Sequence, residues 1–316
     1  MIKLRNLDPS LRSMALEAAG LIPGAADLRY ICAGGGQSLT FWGQQVPEKV
    51  HNTISAAHAA MTSGRNDVAI LSPDSHSQAS GLTWSNNLCH LVGAYGPAMM
   101  NHRSRIGHSA NFATLLTVSG YGNTFANLYF MHGRGNAANL NCLDVTGPRN
   151  SFINCHFGGP MHTTEGGTVG YDLVRLESCE TYFKNCFFGI DTVACTTPQL
   201  VEFGAQAEPP RSVFDDCIFL VQGNSNVRFL KVNAGAGRGL AIFRNCQFIN
   251  LGTAMDYAID GAGLNNFRLL FDSCCTFAGC TDIVEAAYEA YVYMGHGNYA
   301  GSDKTLNGLA TNPDVS

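Results

Sequence analysis

A short pattern of apolar and polar positions recurs six times from residue 125 onward, at intervals of 27 to 31 residues. In its fullest form it reads Phe-x-Asn-Cys-x-Phe, with apolar positions two apart on either side of an Asn-Cys pair. The copies occupy residues 125–130, 152–157, 183–188, 214–219, 243–248 and 271–277, where the last Phe comes one place late. A fixed period of this length predicts a stack of similar coils.

The middle of this pattern predicts a sharp corner in each coil. Phe-x-Asn alternates as a strand does, and so does Cys-x-Phe, but neighbouring Asn and Cys cannot both continue one alternation. Asn and Asp tolerate the left-handed conformation that a corner needs. We therefore expect a ladder of corner residues and, beside it, a column of small buried thiols. The ladder is Asn127, Asn154, Asn185, Asp216 and Asn245, and the thiol column is Cys155, Cys186, Cys217, Cys246 and Cys274.

A second apolar segment precedes most copies of the pattern and predicts a further strand in each coil. These segments lie at residues 116–118, 143–145, 174–176, 201–203 and 230–232. Upstream, shorter strand-like segments predict an irregular first coil. They lie at residues 68–71, 82–84 and 90–93.

Helix signals are confined to the N-terminal part of the chain. Asp8 followed by Pro9 predicts a helix that stops at Gly20, and Pro47 predicts a second helix that ends before Gly64. Together these patterns predict three parts: an N-terminal helical, capping and anchoring segment (1–66), a stack of coils (67–283), and a closing strand with an extended tail (284–316).

The repeat resembles the right-handed parallel β-helices of the pectate lyase-like superfold, whose coils have an Asn-ladder corner of this kind. The resemblance covers about residues 67–283 and implies an all-β solenoid of about seven or eight coils behind a short helical segment. The alternative is a β-sandwich in which the Phe and Cys positions coincide by chance. Sandwiches show no such register, so the repeat favours the solenoid.

Composition narrows the classes of function. Charged residues make up only 14% of the 316 residues, which suits a surface buried in a larger assembly. The net charge of −5 argues against a nucleic-acid or anionic-membrane binder, and no run of eighteen apolar residues occurs. Of the twelve cysteines, Cys274, Cys275 and Cys280 cluster, but without a C-x-x-C pair or a nearby His. The sequence therefore predicts no metal, no cofactor and no membrane span.

Enzymes on this superfold need clustered carboxylates, and the coil alignment tests for them. The outward position of the second segment reads Thr117, Asp144, Arg175, Glu202 and Lys231, and the one after the first Phe reads Ala126, Ile153, Lys184, Asp215, Arg244 and Asp272. Both columns alternate in sign, which favours ladders of paired charges over a catalytic site. If the chain is an enzyme, the candidate catalytic pairs are Asp144 with Glu202, or Asp215 with Asp216.

A third outward column suggests self-association. Its members are Tyr129, His156, Phe187, Ile218, Gln247 and Thr276, a partly apolar set without a chemical theme. Such a face suits packing against another subunit, and we expect a homo-oligomer, in particular a trimer of shafts side by side.

The helical start, the shaft without a catalytic cluster and the Gly- and Asn-rich tail resemble bacteriophage structural proteins. This resemblance, which also rests on the segments at 82–84, 90–93 and 99–101, implies a capsid decoration or cement protein. Its partner would be the major capsid protein, and its location the capsid surface, after synthesis in the host cytoplasm. The alternative is a tailspike-type polysaccharide lyase or hydrolase, or a β-helix that binds glycans without cleaving them.

Overall fold

The computed structural model describes residues 26–32, 47–94, 100, 104–204, 211–264, 266–295 and 299–301. The helix predicted over residues 8–20 and the glycine-rich run at 33–36 lie outside these residues. Three parallel sheets, called A, B and C, wind around one apolar core, so the predicted all-β solenoid is confirmed. It is a right-handed parallel β-helix, the hand that parallel crossover connections adopt.

Each coil contributes one strand to each sheet, and the eight strands of sheet C mark eight coils. Sheet A comprises β1 (Leu28–Ile31), β2 (Val50–His51), β3 (Asp67–Leu71), β6 (Cys89–Gly93), β9 (Thr124–Ala126), β12 (Ser151–Ile153), β15 (Tyr182–Lys184), β18 (Arg211–Asp215), β21 (Gly239–Arg244), β24 (Phe267–Ser273) and β27 (Val292–Met294). Sheet B comprises β4 (Ser75–Gln78), β7 (Arg105–His108), β10 (Tyr129–Met131), β13 (His156–Gly158), β16 (Phe187–Ala194), β19 (Ile218–Gln222), β22 (Gln247–Asn250), β25 (Thr276–Ala278) and β28 (Tyr299–Gly301). Sheet C comprises β5 (Leu82–Trp84), β8 (Thr114–Val118), β11 (Asn141–Val145), β14 (Asp172–Leu176), β17 (Gln199–Phe203), β20 (Arg228–Val232), β23 (Met255–Asp260) and β26 (Cys280–Val284).

The two Phe positions of the repeat form two stacks inside the shaft. The first stack lies on sheet A, where successive ring centroids are 4.7–5.0 Å apart. The second lies on sheet B at 4.4–5.3 Å. These spacings match the distance between neighbouring strands, so ring stacking and backbone pairing enforce the same register.

The corner between sheets A and B is left-handed, as the parity of the repeat requires. Asn127, Asn154, Asn185, Asp216 and Asn245 all adopt φ between +49° and +57°. Two links of the ladder are direct: Asn154 Nδ2 donates to Asn127 Oδ1 at 3.3 Å, and Asn245 Nδ2 donates to Asp216 Oδ1 at 2.7 Å.

One prediction within the repeat is wrong, because β24 contains a bulge. Phe243 pairs with Phe271, but the next residue, Arg244, pairs with Ser273, so one extra residue enters the coil. Cys274 is thereby moved to the corner, with φ +50° and an exposed side chain. Cys275 takes the buried position in the thiol column instead.

The thiol column has a clear structural role. Each Sγ lies 3.3–3.7 Å from the carbonyl oxygen of a Phe in the preceding coil and donates to it. The position therefore needs a small apolar side chain that still carries a weak donor, and cysteine meets both needs.

The second predicted helix begins later than Pro47. A 3-10 helix spans Pro47–Lys49, and Val50 and His51 then pair with Tyr30 and Ile31 as a strand. The α-helix α1 (Ile54–Ala60) starts at Thr53, whose Oγ1 accepts a hydrogen bond from the Ala56 amide. Strand pairing at the sheet edge thus replaces the first turns of the predicted helix.

Within the described part of the chain, the two ends of the shaft are closed differently. At the N-terminal end, α1 buries Ile54 and Ala57 in the same core as Trp84. At the other end, a 3-10 helix (Ala286–Tyr291) packs only partly buried side chains against the core, among them Tyr288 and Tyr291. Two strands, β27 and β28, continue sheets A and B beyond residue 283.

A further short helix, α2 (Thr163–Gly166), lies between β13 and β14. No helix of the described chain is long and apolar enough to cross a membrane.

Candidate functional site: a charge cluster on sheet C

The alternating charges of sheet C lie in register on neighbouring coils. Asp144 pairs with Arg175, Arg175 with Glu202, and Glu202 with Lys231. Asp260 extends the same column beside Lys231. The sequence alignment of this column is therefore correct, but its environment is more buried than an exposed ladder, because only 3% of Glu202 is exposed.

A second carboxyl, which the sequence analysis did not include, completes the cluster. Asp172, at the start of β14, is 5% exposed, and its Oδ1 lies 3.8 Å from Lys231 Nζ. Glu202 Oε1 lies 3.2 Å from the same Lys231 Nζ. Asn233 Nδ2 donates to Glu202 Oε1 at 2.9 Å, and Arg175 Nε lies 3.6 Å from Glu202 Oε2. Lys231 thus bridges two buried carboxyls on adjacent coils.

The two carboxyls ionise differently because they contact each other. Burial, and next the hydrogen bond and negative charge of Glu202, raise the pKa of Asp172 to about 8. Burial also opposes ionisation of Glu202, but hydrogen bonds from Asp172 and Asn233 and the charge of Lys231 outweigh it and lower the pKa of Glu202. Contact between the two carboxyls thus favours the protonated form of Asp172 and the ionised form of Glu202.

Asp144 lies at the edge of this cluster. Burial, followed by the negative charge of Glu177, raises the pKa of Asp144 to about 6. Arg175 stands between Asp144 and Glu202 in the column, so the two carboxyls of the first candidate pair are two strands, or about 9.6 Å, apart along the stack. The carboxyl that actually contacts Glu202 is that of Asp172.

The second candidate pair, Asp215 and Asp216, lies on sheet A and at the adjoining corner. Asp215 accepts a hydrogen bond from the Tyr182 hydroxyl at 2.7 Å, whereas Asp216 accepts one from Asn245 within the corner ladder. The two side chains are thus engaged by different partners on different parts of the coil. Asp216 has the geometry of a corner residue, like the Asn residues above and below it.

The outward column of sheet B is also more buried than its sequence suggested. Tyr129, His156 and Phe187 are all buried within the chain. The Tyr129 ring stacks on His156 with centroids 4.4 Å apart, and His156 Nε2 contacts the Gly189 carbonyl at 3.0 Å. Three members of the face on which the predicted trimer rested are therefore not available to a partner. The trimer itself stays a prediction, without this support.

A metal centre was not expected from the cysteine spacing. Among the residues that the structure describes, no group of three or more His, Cys, Asp or Glu side chains is placed to hold a metal ion. The chemically distinctive feature of the described shaft is the buried pair of Asp172 and Glu202 with its bridging lysine, Lys231.

Comparison with known proteins agrees with the fold. No family model matches the chain, and no curated protein matches it. Among solved structures, the chain is similar to pectate lyase Pel9A, with a TM-score of 0.53 and 11% identity over 91% of this chain and 82% of that one. It also aligns with the pectin methylesterase from Aspergillus niger in deglycosylated form, with a TM-score of 0.45 and 14% identity over 92% and 90% of the two chains.

A protein described as Geobacillus virus E2 ORF18 aligns with a TM-score of 0.35 and 14% identity, over 80% of this chain and 58% of that one. The last two similarities are too weak to carry an argument. At 11% identity, the first shows the fold alone. The chain is thus a parallel β-helix with pectate lyase-like structural neighbours, a fold that hosts many unrelated functions.

Proposed function

We propose that this chain is a non-enzymatic structural protein of a bacteriophage virion, a decoration or cement protein that binds the major capsid protein on the outside of the head shell. The observation that supports a structural role is the state of the acidic side chains. The carboxyls of Asp172 and Glu202 are almost completely buried, Lys231 lies beside both of them, and Arg175 lies beside Glu202.

A general acid or base must come within hydrogen-bonding distance of a substrate. The oxygens of these two carboxyls instead contact each other and neighbouring side chains of the protein. The cluster instead ties β14, β17 and β20 together on the outside of the shaft. A shaft held in register from inside and outside is a suitable rigid element for a shell. The placement on a capsid rests on the resemblance of the sequence to virion proteins, and the low content of charged residues supports it.

The test uses purified heads of the phage whose genome encodes the chain. Recombinant protein should bind these shells and raise the temperature at which they melt, because a ligand that binds only the assembled state stabilises it. Scanning calorimetry of heads with and without added protein measures the shift. Absence of binding at micromolar concentration would remove the proposal.

One observation favours a second candidate, an enzyme that cleaves polysaccharide. Two neighbouring carboxyls whose pKa values are driven apart are the pattern that acid–base catalysts use. A substrate that reached this part of sheet C would meet Asp172, whose pKa is raised, beside Glu202, whose pKa is lowered. Incubation with host capsule or lipopolysaccharide, followed by measurement of chain length, tests this role. Depolymerisation that is lost in Glu202→Gln and in Asp172→Asn, while both variants stay folded, would replace the structural proposal.

A further inference from the structure

The outer face of sheet A carries an apolar column over its last five strands. Tyr182 pairs with Val213, Val213 with Ile242, Ile242 with Leu270, and Leu270 with Tyr293. The first four side chains are half-buried by their neighbours, and Tyr293 is 50% exposed. The pairing lengths of neighbouring strands make this stripe about 20 Å long.

Further toward the N-terminus, the column that contains Tyr182 is polar, with Ser151 and then Thr124 at the paired positions. The buried apolar residues Val92 and Ala126 lie instead in the neighbouring column, in line with Lys184. The apolar stripe is thus confined to the strands from β15 to β27. An accessible apolar stripe with charged margins is typical of a protein–protein contact.

Outward-facing side chains flank the apolar stripe on two margins, two residues before and two residues after each stripe residue. On each coil that has a charged side chain on both margins, the two charges are opposite in sign. On one margin lie Lys184, Asp215, Arg244 and Asp272, and on the other lie Glu180, Arg211, Leu240 and Arg268. Across the stripe, Glu180 therefore faces Lys184, Arg211 faces Asp215, and Arg268 faces Asp272. The 2.6 Å ion pair between Arg211 and Glu180 places these two side chains next to each other on the same margin.

This pattern is self-complementary. A two-fold axis that runs along the stripe brings each margin of one copy over the opposite margin of the other, at the same height. Lys184 then meets Glu180 of a second copy, Asp215 meets Arg211, and Asp272 meets Arg268. The apolar side chains pack against their own counterparts on the axis, including Tyr293. Antiparallel shafts would match the charges too, but they would place Tyr293 opposite the polar Ser151.

We infer that two copies of this chain associate side by side and parallel through this face of sheet A, which we call the β15–β27 face. The apolar stripe provides the attraction, and the margin charges fix the register, as charges at interfaces generally do. The face covers on the order of 400 Å² per copy, about half of a standard interface. The dimer is therefore weak in dilute solution and forms where copies are concentrated, as on a particle.

Sedimentation velocity of the full chain from ~10 to ~500 μM tests the association. A dimer should appear with rising concentration. Ile242→Lys places like charges against each other on the axis and should weaken the dimer about tenfold or more. The matched control is Leu251→Lys, because Leu251 is 54% exposed but lies outside the β15–β27 face, in the turn after β22. The control should dimerise like the parent protein.

Cysteine cross-linking tests the orientation, in a Cys179→Ser and Cys274→Ser background that removes the exposed native thiol and the half-exposed one beside Glu180. In the parallel arrangement, Ile242→Cys alone should give a disulfide-linked dimer, and so should Val213→Cys alone. A link that forms only in a mixture of these two variants would show antiparallel shafts and overturn the inference. It would also be overturned by a monomer at every concentration, or by oligomers that Ile242→Lys and Tyr293→Lys both leave intact.

Discussion

Sheets A and C carry the same kind of charge column on their outer faces, but the two columns differ in burial. On sheet C, Lys231 bridges two carboxyls that are almost completely buried, and its own side chain is 25% exposed. On sheet A, Arg244 bridges Asp215 and Asp272 in the same way, but its side chain is 46% exposed. The alternation of charge sign along the sequence determines which charges are neighbours, whereas burial determines how much each ion pair contributes to stability.

The largest expected effect is the difference in stability lost when each of the two bridging cations, Lys231 and Arg244, is removed. Lys231→Met removes the cation that bridges Asp172 and Glu202 and should lower the free energy of unfolding by about 2 kcal/mol, because the buried carboxylate of Glu202 then keeps Arg175 as its one neighbouring cation. Arg244→Met is the matched variant on sheet A and should cost ~0–1 kcal/mol, since solvent screens its partners. Urea unfolding of both variants measures the difference, and equal losses would contradict the comparison.

The next largest expected effect is the change of stability with pH that comes from the titration of Asp172 on sheet C. Asp172 has its pKa raised to about 8 in the folded protein, so between about pH 4 and 8 folding takes up a proton that the unfolded chain has released. Through Asp172, stability therefore falls as pH rises across this window and levels off above it. Asp172→Asn keeps a donor to Glu202 but cannot titrate.

Relative to the parent protein, Asp172→Asn should become more stable by ~1 kcal/mol or more as the pH is raised from 5 to 8. The lowered pKa of Glu202 works in the opposite sense, because its contribution is present above the unfolded pKa and is lost only as pH falls through the lower folded value. Urea unfolding at several pH values compares the two proteins. Parallel stability profiles would mean that Asp172 does not hold the proton.

The smallest effect concerns salt. A double-mutant cycle of Arg244→Met with Asp272→Asn should give a coupling energy of ~0.5 kcal/mol or less, which vanishes near 1 M salt because the pair is exposed. The corresponding cycle of Lys231→Met with Glu202→Gln should keep most of its coupling at the same salt concentration. Salt sensitivities that are alike would show that solvent reaches both columns equally.

Much of the shaft was predictable because its register repeats. The Phe pattern aligns the coils correctly, so the order of charges along sheet C follows from the sequence alone. The bulge in β24 was not predictable in the same way, because a single extra residue beside Asp272 leaves either Cys274 or Cys275 as a reasonable member of the thiol column.

The partner of Glu202 was missed for a related reason. Asp172 lies three residues before Arg175, outside the three-residue segment that recurs in each coil, and as the first residue of β14 it lies 3.8 Å from Lys231 Nζ. Its column in neighbouring coils, Asn141, Gln199 and Arg228, is polar throughout, which was the available signal. The burial of Tyr129 and His156 depends on segments between the strands, whose course a repeat pattern does not specify.

The unequal closure of its two ends gives the shaft a direction. In a stack of coils, each coil is stabilised mainly by the two beside it, so disorder enters at an end and moves inward. Among the residues that the structure describes, Ile54 and Ala57 of α1 are buried against the core at one end, whereas Tyr288 and Tyr291 are only partly buried at the other. When the protein is heated or pulled, we expect the coils to unfold one after another, starting at the C-terminal end.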